Sequence, residues 1–213
     1  MNFIAIIILI TLIAEFFLSI VTDYLNLKVM QDELPEAFHG LYDKERYRKS
    51  QEYLRVNTRF GWISSTFFLL VILIFWFGKG FPFLDQYVRS FNWSPVIIGI
   101  LYIGIIILFQ TLLSLPFSIY ATFVIEERFG FNKTTWATFV KDRAKLLLLS
   151  ILLGGPLLAG ILLFLEYTGA NAWWLCWIAV ILFSLAAQYI VPTWIMPLFN
   201  KFEPLKKENS KRQ

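Results

Sequence analysis

Residues 96–125 read VIIGILYIGIIILFQTLLSLPFSIYATFVI, thirty positions without one Asp, Glu, Lys or Arg. A helix rises about 1.5 Å per residue, so roughly 20 apolar residues cross the ~30 Å hydrocarbon core of a bilayer. This stretch exceeds that length, and its apolar residues form a block rather than an amphipathic stripe. It predicts a membrane-spanning helix. Four more blocks pass the same test, at 3–22, 60–77, 146–165 and 172–191. Glu15 is the sole ionisable residue well inside any of them. Its insertion cost of about 2.5–3.5 kcal/mol is outweighed by many central Leu, Ile, Phe and Val residues at about −0.3 to −0.6 kcal/mol each. The expected fold class is all-α: a polytopic integral membrane protein with about five transmembrane helices, in a bacterial inner membrane or the endoplasmic reticulum.

Composition excludes the main alternative. Of 213 residues, 58% are hydrophobic and 16% charged. A water-facing domain carries roughly 25% charged residues to cover its surface. The first block is longer than a signal-peptide core, lacks a basic segment before it and is followed by no small-x-small cleavage site, so a retained anchor is expected. A single cysteine, Cys176, forms no intrachain disulfide and lies in the fifth block as a packing residue.

Charge placement sets the expected orientation. Seven Lys or Arg fall in 23–59, five in 126–145 and five after Val191, seventeen of nineteen on one side of an alternating five-span path. Lys79 and Arg89 alone fall on the other. The positive-inside rule puts the rich side in the cytoplasm, leaving the N-terminus outside and the C-terminus cytoplasmic. These basic segments are expected to meet anionic headgroups of the lipid bilayer. No basic groove or motif for nucleic acid is present. Residues 23–59 form the largest connection, predicted as a cytoplasmic helical loop with Asp43 as an N-cap running into the second span. Residues 206–213 read as a polar tail.

A catalytic zinc takes three protein ligands, with His commonest. This sequence has one histidine, His39, and no H-E-x-x-H pair. Phosphate-binding and nucleophile-elbow motifs are also missing. No catalytic residue, no metal ligand and no cofactor is therefore assigned to this chain. Inside the spans, Glu15 and Gln110 are polar enough to require a partner or a ligand. Ser114 and Ser118 share a face with Thr122, a spacing that serves close helix packing or lines a water-filled space. Pro116 and the Gly154-Gly155-Pro156 run predict kinks, and Pro192 and Pro197 should break the helix after the fifth block. The string Glu126-Glu127-Arg128-Phe129-Gly130-Phe131-Asn132-Lys133-Thr134-Thr135 reads as a charged turn with internal salt bridges, followed by an amphipathic surface helix from Trp136.

That string, with Leu115-Pro116-Phe117-Ser118-Ile119-Tyr120 before it, resembles the N-terminal membrane region of type I CAAX prenyl proteases. Tyr53 to Gly61, Gly154-Gly155-Pro156, and the segment Pro197 to Leu205 with Asn200 and Pro204 resemble the same family, in the same order. The resemblance implies an N-terminal membrane domain over 1–205. It also implies helices wrapped around an intramembrane chamber, and a zinc metalloendopeptidase acting on prenylated or other peptide substrates. The family's zinc motif lies downstream of the segment matching 199–205, and this sequence ends eight residues after Leu205. The expectation is thus a module that forms chamber wall and substrate access. Zinc and catalysis would belong to a separate catalytic part, making this a truncated or split protease. The alternative from another class is a stand-alone, non-enzymatic scaffold or partner-binding protein.

Overall fold

The structure is a computed structural model and describes residues 3–30, 43–168 and 172–199. His39, Asn200, Pro204 and the 206–213 tail lie outside the described residues. Among the described residues the secondary structure is helical, without strands. In chain order the helices are α1 (Phe3–Val29), α2 (Lys44–Phe77), α3 (Gly80–Arg89), α4 (Pro95–Tyr120), α5 (Trp136–Leu149), α6 (Gly155–Thr168), α7 (Ala172–Ile190) and α8 (Met196–Phe199). Among the described residues five helical stretches are long and apolar enough to cross a membrane: 3–29, 44–77, 95–126, 136–168 and 173–195.

The helices extend beyond the apolar blocks, because charged residues favour helix once they leave the bilayer. α2 is one 34-residue helix that joins the charged segment to the second span. Asp43 opens it, its Oδ1 accepting from the Glu45 and Arg46 N–H groups at 2.8 and 3.1 Å. These bonds, led by that from Arg46, hold the Asp43 carboxyl below its ordinary value. Sequence reading overlooked α3, whose Phe81, Leu84 and Val88 recur at helical spacing, flanked by the Asp85–Arg89 ion pair. Lys79, with φ of 59°, makes the tight turn into it.

Three spans loosen into π-helical turns, at Ala121–Glu126, Ser150–Gly154 and Val191–Ile195. Proline accounts for two of them. Pro156 and Pro192 each remove the N–H that would bond four residues back, and a wider turn relieves the ring's clash with that carbonyl. The expected break at Pro192 is therefore a change of pitch, with helix resuming in α8. Pro116 itself sits within regular α4, and the widening begins five residues after it.

The chain forms two compact units, Met1–Ser90 with Gly104–Thr134, and Phe91–Ile103 with Thr135–Gln213. In the first, the Trp62 indole N–H donates to Asp23 Oδ2 at 3.1 Å and fixes α1 on α2. The Phe117 ring lies 5.0–6.0 Å from those of Phe60, Phe67 and Phe68, joining α4 to α2. In the second, Gly99 permits close approach of α6: a β-carbon there would stand 2.8 Å from Leu162 Cδ1. Cys176 is half-buried, its Sγ 3.8 Å from the Ile161 carbonyl, which fits a packing role.

Among the described residues only five apolar side chains are buried, Val88, Ile125, Phe129, Phe139 and Ile195. Ile74, Leu148 and Trp173 are about 70% exposed within apolar spans. Water would not tolerate so much contiguous apolar surface. Lipid tails are as apolar as leucine, so spans facing them need no core of their own.

Candidate functional site

Two features stand out, both in the first unit: a hollow between helices and a clamp at the end of the third span. The hollow is lined by α1, α2, α3 and α4 and has a volume of about 730 Å³. On α1 the lining positions are Leu12, Glu15, Phe16, Ser19 and Ile20, one helical face; on α2 they run from Trp62 and Ser65 to Phe75. α4 adds Ile105, Ile106, Phe109, Gln110 and Leu113, and α3 adds Phe81, Phe83 and Leu84.

Depths follow from the helical rise. Asp23 and Trp62 meet and mark one level. Glu15 lies eight residues before Asp23, about 12 Å along the axis. Phe117 packs level with about the third residue after Trp62, and Gln110 lies seven residues before it, a total of about 15 Å. Glu15 and Gln110, far apart in sequence, therefore line one hollow at nearly one depth, inside the span. Among the described residues neither side chain has a protein partner. An unpaired charge there costs about 2.5–3.5 kcal/mol on insertion scales, a cost that water or a ligand offsets. Below them Ser19, Ser65 and Trp62 continue the polar lining; above them Phe75, Phe81 and Leu84 make an apolar cap.

Ser114 and Ser118 are not in that lining. Their hydroxyls return to their own helix, on the Thr111 and Leu115 carbonyls at 2.8 and 3.1 Å. The structure thus brings together Glu15 and Gln110 but not the two serines. The cap residues of α3 and the Asp23–Trp62 link were not singled out from sequence. The signal for α3 was the Phe81, Leu84, Val88 spacing.

The clamp is the string after α4. Gly130 has φ of +68°, which glycine adopts without a β-carbon penalty. Its N–H donates to the Glu127 carbonyl at 2.9 Å, and that of Phe131 to the Glu126 carbonyl at 2.9 Å, a Schellman ending. The turn buries Phe129 and presents Phe129 and Phe131 to Tyr53 of α2, ring centroids 5.5 and 4.9 Å away, both edge-on. Arg128 lies over the Phe129 ring and pairs with Glu52 at 3.0 Å. The expected internal salt bridges are thus replaced by a pair reaching α2. Inside the turn, Asn132 Nδ2 donates to Glu127 Oε2 at 3.0 Å, while Asn132 Oδ1 accepts from the Thr134 N–H. Thr135 Oγ1 caps α5 through the Thr138 N–H at 3.2 Å. Lys133 follows exposed on this turn. Gly154, Gly155 and Pro156 form the junction of a π turn with α6 and have space around both glycines.

Among the described residues no three His, Cys, Asp or Glu side chains are grouped to hold a metal ion. They do not fit the zinc that the resemblance implies, and no step through zinc is assigned to them.

Fold and site together define a class: a multi-pass α-helical membrane module that keeps polar side chains facing a hollow within its spans. Residues 23–201 match the family described as CAAX prenyl protease N-terminal, five membrane helices. The chain belongs to that family. It is similar to the probable CAAX prenyl protease 1 of Schizosaccharomyces pombe, 34% identical over 198 residues, covering 87% of this chain and 42% of that protein. A CAAX prenyl protease 1 homolog of Dictyostelium discoideum is 28% identical over 210 residues, covering 91% and 47%. The crystal structure of S. mikatae Ste24p superposes with a TM-score of 0.81 at 31% identity, covering 94% of this chain and 49% of that one. The chain spans about half the length of the relatives it matches and corresponds to their membrane part. It is an integral, multi-pass membrane protein.

Proposed function

We propose that this module forms chamber wall and substrate access for a CAAX-type zinc metalloendopeptidase, with zinc and its activated water supplied by a separate catalytic part. The observation that carries this reading is the hollow with Glu15 and Gln110 at mid-span. Helices evolved only to anchor a protein have no reason to keep two unpaired polar groups at that depth. A peptide chain entering the bilayer region needs such partners for its backbone groups. The clamp serves the same end by holding the third span against the cytoplasmic stem of α2, so that the walls keep their spacing.

In this reading the N-terminus faces outside and the C-terminus the cytoplasm, supported by the seventeen basic residues on one side. Those residues rest on anionic lipid. The substrate is a prenylated or otherwise lipid-associated peptide, as the relatives' names suggest.

A chimera tests this. Residues 1–201, which include Glu15 and the rest of the α1 wall, replace the corresponding N-terminal part of the Saccharomyces cerevisiae CAAX prenyl protease 1, which is 31% identical to this chain over 195 residues. The chimera should bind zinc stoichiometrically and cleave a prenylated peptide, with loss of turnover on chelation, whereas the 213-residue chain alone should do neither. A chimera that inserts and holds zinc but leaves the peptide intact would contradict the proposal, as would chelator-sensitive cleavage by this chain alone.

A further inference from the structure

We infer that the hollow of the first unit binds a single-tailed aliphatic amine, an amphiphile with a cationic, hydrogen-bond-donating head. The inference concerns a small ligand and stands independently of the protease reading. Its volume, about 730 Å³, falls in the range of small-molecule sites, which are mostly apolar with a few placed polar groups.

The lining fixes the chemistry of the head. Glu15 is the only acidic or basic side chain among the described lining residues, so the strongest acceptor the site offers is a carboxyl group. Gln110, at nearly the same depth, adds an amide oxygen to the same lining. The Trp62 indole donor is already committed to Asp23 and is not free for an anionic head. An amine head is the chemical complement of that carboxyl group and donates hydrogen bonds; a fatty-acid head would set a second carboxyl group at mid-span. The lining also fixes the direction of the tail. Beyond Glu15 the lining carries no polar side chain and runs to Phe75 of α2 and Phe81 and Leu84 of α3. Toward Trp62 they turn polar. An aliphatic tail therefore points to α3, with the head on Glu15.

The probe is decylamine carrying a diazirine at its tail end, added to the 213-residue chain in nanodiscs of zwitterionic lipid and photolysed. Peptide mapping should find the label concentrated near Phe75, Phe81 and Phe83. Unlabelled decylamine should compete, and the chain-matched decanoate should not. Glu15→Gln, close in shape, should weaken labelling about tenfold, as expected for loss of a charge-assisted hydrogen bond. Glu15→Asp should retain most of it. The decanoate comparison reads the charge preference on the unaltered chain, whatever the variants do to folding. Label spread over lipid-facing positions such as Leu18 and Ile74, equal competition by decanoate, or indifference of a folded Glu15→Gln protein would each overturn the inference.

Discussion

Gly130→Ala isolates the backbone requirement of the clamp. Gly130 has φ of +68°, and a β-carbon placed there meets only Lys49 Nζ, at 3.7 Å. That is ordinary contact, so the substitution introduces no clash and its cost is conformational. Forcing an L-residue into the left-handed region costs about 1–2 kcal/mol. For a chain of this size about 1 kcal/mol corresponds to roughly 2–4 °C, giving an expected fall of about 2–8 °C in Tm. Two companions make the comparison internal. Gly130→Asn should lose less than half as much, since asparagine tolerates this region. Gly154→Ala, in open space with helical backbone, should leave Tm unchanged or raise it. The assay is thermal unfolding in one detergent, followed by loss of helical ellipticity. Equal effects of alanine at 130 and 154, or asparagine proving worse than alanine at 130, would refute the reasoning.

Other consequences can be measured on the same preparation. Phe129→Ala removes a buried ring against Tyr53 and should cost about 3–5 kcal/mol, whereas a double-mutant cycle on the exposed Arg128–Glu52 pair should give under about 1 kcal/mol; a larger coupling there would assign the clamp to charge rather than packing. Asp43 has a folded pKa below its unfolded value, so its cap stabilises the start of α2 above the ordinary carboxylate range and is lost as pH falls through the lowered folded value. Segmental helicity of a spin label near Arg46 should therefore become less ordered on acidification in the native chain, and a Asp43→Ala chain should show no such transition. With Cys176→Ala as background, Lys133→Cys should react only with cytoplasmic reagent; labelling from the opposite face would reverse the orientation.

Block length made the five spans legible, because a bilayer imposes a minimum run of apolar residues that few other structures satisfy. The N-cap at Asp43 was legible for a similar reason, a side-chain acceptor before a charged helical run. Helix ends were less so: α1 continues to Val29 past the apolar block, since Asp23 finds Trp62 and local hydrogen bonding does not stop at the membrane boundary. Glu15 and Gln110 were each recognisable as costly in lipid, but their meeting at one depth depends on the packing of α1, α2 and α4. Ser114 and Ser118 had the spacing of a polar lining and proved to bond their own helix, as short hydroxyls in apolar surroundings can. The partner of Arg128 lies 76 residues away, beyond the reach of local spacing.

The account rests on a polar hollow inside the spans, and cysteine reactivity tests it most directly. In the Cys176→Ala chain, Ser19→Cys and Ser65→Cys face the hollow, while Leu18→Cys and Ile74→Cys stand 67% and 71% exposed on apolar spans. Only a hydrated thiol ionises and reacts with a charged maleimide. The two hollow-facing positions should react at least about tenfold faster than the two others; reactivity equal at all four, or confined to Leu18→Cys and Ile74→Cys, would contradict the account.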